Sequence, residues 1–376
     1  MGLRGKLGQP ITMKEQLIFS GSESQTNHIA RPLIKELSER GMTIAIAEGC
    51  SGGSVANALT IGGSTRVFRI GVVAYSSEAK LRLGVPSSII EKYGEYSPET
   101  AAAMNRAILK PRKDDVAISV VGEIGSDVKD KWAYILVTGL NGESWGQYFH
   151  FKGERISIQS EIAEQCLSNA YAFITGNRVK LENHLYIATS NLMPLIEAAT
   201  KNNAQSLVNL LQNLGLRIST IESCTGGAII QALAQIHGAT SVIDGGHIAY
   251  DEDAKQYFGV PLETMAYGAV YSEKVAIAMA ESIQSKPNLI TIATTGAMES
   301  RDTRPFHDDT PAGRVYIAIS YKSKVFTYEL NLIPKSREKM KAEVVNFIFE
   351  KLTLLIMSNE LERSSADYSP YERKYV

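Results

Sequence analysis

The chain has 376 residues, 44% hydrophobic and 21% charged, with a net charge of −1; this is a soluble globular profile, long enough for two ordinary domains. Near-neutral charge removes any electrostatic case for nucleic acid or an anionic membrane as partner, and the longest apolar runs, such as residues 352–357, are far too short to span a bilayer. The three cysteines, Cys50, Cys166 and Cys224, do not form a disulfide framework and favour a reducing, cytoplasmic setting.

Residues 1–22 lack a continuous apolar core, so no signal peptide is expected. Met1-Gly2 looks like a myristoylation start, but Lys6 stands where serine or threonine is needed. Polar residues 1–26 are read as lying outside any folded unit. Helical apolar spacing then predicts a helix over 28–40, stopped by Gly41. A strand over 42–47 runs into a glycine-rich turn, followed by a short helix over 54–59. Strands follow over 70–75, 116–121 and 134–138. Residues 177–192 read as a connection. A second helix over 193–214, with Pro194 in its first turn and Gly215 as its stop, leads to a strand over 217–221, another glycine-rich turn and a helix over 228–235. Strands over 246–250, 289–293, 315–321 and 324–330 complete the pattern, and residues 358–376 are read as a polar end. Alternating strands and helices predict an α/β fold. The meander at the end of each half makes each sheet mixed: two tandem three-layer α/β/α domains, residues 29–176 and 193–357, each with a mixed, mostly parallel sheet.

The two halves are copies of each other. Glu48-Gly-Cys-Ser-Gly-Gly53 matches Glu222-Ser-Cys-Thr-Gly-Gly227, and Tyr75-Ser-Ser-Glu-Ala-Lys80 matches Tyr250-Asp-Glu-Asp-Ala-Lys255. Gly84-Val-Pro86 matches Gly259-Val-Pro261, Val121-Gly122 matches Thr295-Gly296, and Arg155 pairs with Arg337. A period this long means tandem domains rather than a solenoid. The copies differ at one chemically decisive position, where Ser223 faces Gly49.

A strand-to-helix turn of this kind exposes a side chain at the sheet edge and aims backbone N–H groups outward, which suits a phosphate or a developing oxyanion. The same six residues also read as an ordinary helix cap whose glycines permit close packing. A reactive serine needs a base. The six histidines show no metal-ligand spacing and none stands out as a base; no metal or cofactor is expected. Lys255 is the candidate, because burial lowers a lysine's pKa. Cys224 is a rival nucleophile, but its counterpart Cys50 persists where the serine does not, which favours packing for both. Ser51 lies two residues along the turn from Gly49 and is a poor substitute for it. Glu222 and Glu48 could fix their turns by accepting N–H bonds. Thr225 suits a cap or a phosphate contact, and Arg314 and Arg337 are candidate phosphate partners or surface arginines.

Glu-Ser-Cys-Thr-Gly-Gly, the Gly-Gly-x-x-x-Tyr-x-x-x-x-Lys run, Gly-Val-Pro, Tyr-Gly-Ala-Val, Thr-Gly and Pro-x-Gly-x-Val-Tyr together resemble the CinA C-terminal domain, the nicotinamide mononucleotide deamidase family. The resemblance covers roughly residues 29–176 and 193–357. It implies three-layer α/β/α domains that hydrolyse nicotinamide mononucleotide to nicotinate mononucleotide and ammonia. It implies Ser223 as nucleophile, Lys255 as base and Tyr250 as a hydrogen-bonding neighbour. Glu222, Thr225, Gly226, Gly227, Thr295, Gly296, Arg314 and Arg337 are the residues expected on the substrate side. The partners expected are a small-molecule nucleotide, no nucleic acid and no membrane, with the copies pairing inside one chain and room for a homo-oligomer. Copy one departs from the pattern at Gly49. Copy two departs at residues 298–309, where the family is glycine-rich, and at an extra Tyr271. The competing reading is a catalytically inactive nucleotide-binding or scaffolding protein.

Overall fold

A computed structural model describes residues 25–61, 64–112, 114–177, 185–187, 198–268, 270–286, 289–298, 310–322, 324–333 and 336–366. In chain order the elements are α1 (Gln25–Arg40), β1 (Ile44–Glu48), α2 (Ser54–Leu59), β2 (Phe68–Val73), α3 (Ser77–Leu83), α4 (Ser87–Tyr93), α5 (Pro98–Arg112), β3 (Val116–Glu123), β4 (Lys131–Gly139), β5 (Ser144–Lys152), α6 (Arg155–Thr175) and β6 (Leu185–Ile187). Copy two follows with α7 (Ala198–Leu214), β7 (Arg217–Glu222), α8 (Ala228–Ala234), β8 (Ile243–Ala249), α9 (Glu252–Tyr257), α10 (Glu273–Ser282), β9 (Leu289–Ala297), β10 (Arg314–Tyr321), β11 (Lys324–Asn331) and α11 (Arg337–Ala366).

Each copy has the same mixed sheet. In copy two β7 pairs in parallel with β8 and β9, and β9-β10-β11 run as an antiparallel meander. Copy one repeats this order with β1, β2, β3, β4 and β5. Central strands β1, β3, β7 and β9 are buried almost throughout, so both faces must be covered. One apolar layer is built from α1, α2, α6, α7, α8 and α11, the other from α3, α5, α9 and α10.

The repeat alone did not indicate that the two sheets would join edge to edge. β2 and β8 pair antiparallel, producing one 11-stranded sheet. In that register Val72 lies opposite His247, and these are equivalent positions of the two copies. The contact is therefore isologous, as across a two-fold axis, and each copy covers the other's exposed strand edge. Copy-one α2 and copy-two α8 pack across the same seam, where Gly226, in the left-handed region at φ +59°, has no room for a side chain. A Cβ there would stand 2.2 Å from Thr60 Oγ1.

Several sequence expectations shift. β5 is not among the expected strands: its burial alternates, but the inward row of Trp145, Phe149 and Phe151 is interrupted by the polar Gln147. The polar start and end are shorter than read, because α1 begins at Gln25 and α11 continues to Ala366. The second helix is described from Ala198; residues 193–197 of the expected helix, Pro194 among them, lie outside the described residues, as do residues 299–309. No helix among the described residues is long and apolar enough to cross a membrane.

Candidate active site

The site forms where β7 gives way to α8. Glu222, the last residue of the strand, is fully buried and turns back under the helix. Its carboxylate accepts the N–H groups of Gly227 (2.9 Å), Ile229 (3.1 Å) and Ile230 (3.0 Å) and the Thr220 hydroxyl. Burial pushes this carboxyl up, and those backbone bonds pull it back down. Four of its acceptor positions are thus filled by the protein, so Glu222 fixes the turn instead of meeting a substrate. Glu48 does the same in copy one, taking N–H groups of Gly53, Val55 and Ala56. It also holds the Ser51 hydroxyl at 2.7 Å, which removes Ser51 as a stand-in nucleophile.

The turn leaves Ser223 between two strand ends. Its N–H donates to Thr294 O at 2.9 Å, and its Oγ meets the ammonium of Lys255, which donates to it at 3.1 Å. Lys255 comes from α9, whose start is fixed by the Asp251 carboxylate accepting from Ala254 N. The lysine points back under the sheet edge, where it also donates to Ala249 O at 3.3 Å. It is completely buried, and burial brings its pKa down to about 8. An ordinary ammonium is thereby converted into a group that exchanges a proton near neutral pH.

Tyr250, at the end of β8, lies under Arg337, the first residue of α11. An Arg337 N–H donates to the phenol at 2.9 Å, and the guanidinium sits 5.8 Å above the ring. The other partner comes from copy one: Ser64 Oγ lies 3.4 Å from the phenol oxygen. The Ser64 hydroxyl donates to the phenol oxygen and shares its proton with Ile61 O at 2.7 Å. Ser64 was not anticipated, because nothing in the linear sequence brings residue 64 to residue 250.

Most of the other residues expected on the substrate side are engaged elsewhere. Thr225 is buried and shares a hydrogen bond with Thr294 (2.7 Å). Gly226 and Gly227 face the first copy: a Cβ on Gly227 would approach Gly53 O at 3.2 Å. The close-packing reading of these glycines therefore prevails over ligand approach. Thr295 is buried and donates to Val270 O, while a Cβ on Gly296 would strike Arg314 O at 2.4 Å. Arg314 reaches across the hairpin to Asn331 (3.1 Å) and Glu329 (3.3 Å). Burial pushes the Cys224 thiol up to about 11, leaving it without thiolate character. His247 is pushed below its ordinary value by burial, with Nδ1 against Thr220 O.

Copy one keeps the scaffold of the site and changes its chemistry. Tyr75 and Arg155 are hydrogen-bonded like their counterparts, and Lys80 is buried, with burial lowering its pKa. Its partner is Glu95, at 3.3 Å, instead of a serine. The pocket above, about 230 Å³, is lined by Gly49, Cys50, Tyr75, Lys80, Tyr96 and Arg155 among others. Even a methyl group at Gly49 would come within 2.9 Å of Val120 O. No group of three or more His, Cys, Asp or Glu among the described residues could hold a metal ion.

The CinA C-terminal domain family model matches two regions of the chain, residues 26–174 and 200–356. A putative competence-damage inducible protein of Halothermothrix orenii is 42% identical over 128 residues, covering 32% of this chain and 31% of the relative. A CinA-like protein of Desulfotalea psychrophila is 41% identical over 138 residues, covering 35% and 33% respectively. The chain thus spans about a third of the length of these curated relatives. Among solved structures, the competence/damage inducible protein CihA of Agrobacterium tumefaciens matches with a TM-score of 0.39 and 28% identity, over 44% of this chain and 99% of that one.

Proposed function

The chain belongs to the CinA C-terminal domain family, and from that premise we propose that copy two is an amidohydrolase that converts nicotinamide mononucleotide to nicotinate mononucleotide and ammonia. The observation that carries this reading is the buried Lys255 ammonium, brought down to about 8, at 3.1 Å from Ser223 Oγ. Neutral Lys255 takes the serine proton as Oγ attacks the amide carbonyl carbon. The C–N bond then breaks, and Lys255 returns the proton to the departing nitrogen, which leaves as ammonia. Water, deprotonated by the same amine, attacks the ester; the ester C–O bond breaks, the amine returns that proton to Ser223, and the acid leaves as carboxylate, its remaining proton passing to solvent. The N–H of Cys224 has no backbone acceptor among the described residues. Placed directly after the nucleophile on a strand-to-helix turn, it suits the oxyanion.

Tyr250 and Arg337 wall the site, and Arg337 is the better phosphate candidate of the two arginines because Arg314 is committed to its own hairpin. Residues 193–357 are the active unit in this proposal. Residues 29–176 are its degenerate copy, silenced by Gly49 and by the Lys80–Glu95 pair. That pairing favours the inactive reading for copy one alone. The proposed partners are a small nucleotide amide and, internally, the other copy. The test is product analysis: purified protein given nicotinamide mononucleotide should yield nicotinate mononucleotide and ammonia in equal amounts. If neither product forms from this or any other nucleotide amide, the reading fails.

A further inference from the structure

The copies differ at a second position that tracks with the nucleophile. Aligning Arg155 with Arg337 places Lys341 opposite Gln159. Gln159 stays within its own copy and donates to Cys50 O at 3.2 Å. Lys341 instead makes its hydrogen bonds across the seam, to copy one. Its ammonium is buried in copy one at the C-terminal end of α2, where it donates to Asn57 Oδ1 (2.8 Å), Asn57 O (3.4 Å), Thr60 Oγ1 (2.6 Å) and Thr60 O (3.0 Å). Four oxygens around one ammonium form a built cage, at the end of a helix where carbonyls lack intrahelical partners.

Two routes run from that cage to the site. Lys341 lies one helical turn beyond Arg337, on the same face of α11, and Arg337 donates to the Tyr250 phenol. Thr60 Oγ1 also contacts Gly226 O (3.3 Å), and Gly226 N donates to Ser223 O (3.2 Å) within the nucleophile turn. Asn57 adds a further tie through its amide, which donates to Gln231 on α8.

We propose that Lys341 is a positioning residue for the second copy's site, and that the first copy persists because its Asn57 and Thr60 supply the cage that holds it. This rests on the proposed amide hydrolysis only for its kinetic readout. Burial brings the ammonium down to about 7, which fits a group held by geometry in a dry interface. Removing it lets α11 relax, and Arg337 then drifts from Tyr250 while the turn carrying Ser223 loses its brace.

The test compares Lys341→Met, Asn57→Ala and Thr60→Ala with Lys339→Met, an exposed lysine on the same helix. Two quantities are read on the full chain: kcat and KM for ammonia release, and the ¹³Cζ resonance of Tyr250, assigned by its loss in Tyr250→Phe. The expected result is a kcat lowered by on the order of tenfold to a hundredfold, a KM raised as Arg337, the proposed phosphate partner, loses its place, and a displaced Tyr250 resonance. Lys339→Met should match wild type. Lys341→Met combined with either alanine variant should be no worse than Lys341→Met alone, since both remove one contact. The single-acceptor variants keep the test open if Lys341→Met does not fold. A Tyr250 resonance unmoved in the cage variants overturns the proposal, with or without turnover. If the wild type releases no ammonia while the resonance moves, the reading of the reaction falls and the positioning contact stands.

Discussion

Replacing Lys341 by methionine should flatten the pH dependence of stability between pH 7 and about 10.5. The ammonium sits in a dry cage, with Arg337 pushing its pKa down and Glu338, Glu222 and Cys224 opposing. In the folded chain its pKa is about 7, against 10.5 for an ordinary lysine. Through that window the unfolded chain binds the extra proton and the folded chain does not, so unfolding becomes harder as pH rises. Below pH 7 both states are protonated and the full penalty applies. Each tenfold change in proton affinity is worth about 1.4 kcal/mol, so the penalty is on the order of 5 kcal/mol at most, and relaxation or entering water trims it. Burial lowers Lys255 and Lys80 in the same direction, so the wild-type curve contains all three. The difference between wild type and Lys341→Met isolates one of them. The assay is urea unfolding at half-unit steps from pH 6 to 10.5. Leaving the Asn57 and Thr60 oxygens unpaired shifts the mutant curve uniformly, so slopes are compared instead of midpoints. Parallel slopes would refute the reasoning.

Gly49→Ser should not awaken copy one: its Cβ would meet Val120 O at 2.9 Å, and Lys80 is held by Glu95. In a Ser223→Ala background, ammonia release should stay at the Ser223→Ala level, while a thermal melt shows destabilisation of roughly 1–3 kcal/mol. The pH profile of kcat/KM should rise and level off above about pH 8, because Lys255 must be neutral to accept a proton and its pKa is about 8; a rate that falls across pH 7–9 would contradict this. Cys224→Ala should keep most activity, since burial holds the thiol near 11, and an activity loss comparable to Ser223→Ala would reverse that assignment. Gly226→Ala should destabilise by roughly 2–5 kcal/mol in denaturant unfolding, combining a left-handed backbone with overlap against Thr60.

The repeat, the strand-to-helix turns and the Ser223, Lys255 and Tyr250 set were all legible in the sequence, because each is carried by a local run that recurs 174–175 residues apart. What could not be read is what depends on contact between the copies. Val72 opposite His247, Ser64 beneath Tyr250 and Lys341 in the cage of Asn57 and Thr60 join residues with no spacing rule between them. The same blindness explains the glycines. Gly226 and Gly227 carry the composition of a ligand-cradling loop, yet what they approach belongs to copy one: the Thr60 side chain and the Gly53 backbone. Burial explains the shorter list of substrate-facing residues. Glu222, Thr225 and Thr295 read as polar letters in a motif, but the hydrogen bonds they make stay within the protein. The β5 strand is hard to read because Gln147 breaks the apolar row on its buried face and Tyr148 places an aromatic on its open face, which blurs the alternating signal that marks a strand.

The most direct measurement is ammonia release from nicotinamide mononucleotide by wild type, Ser223→Ala and Ser51→Ala in parallel. The account predicts turnover by wild type and Ser51→Ala, and a loss of about a thousandfold or more in Ser223→Ala, since among the described residues the serine paired with a buried lysine is in copy two. Undiminished release by Ser223→Ala would contradict it.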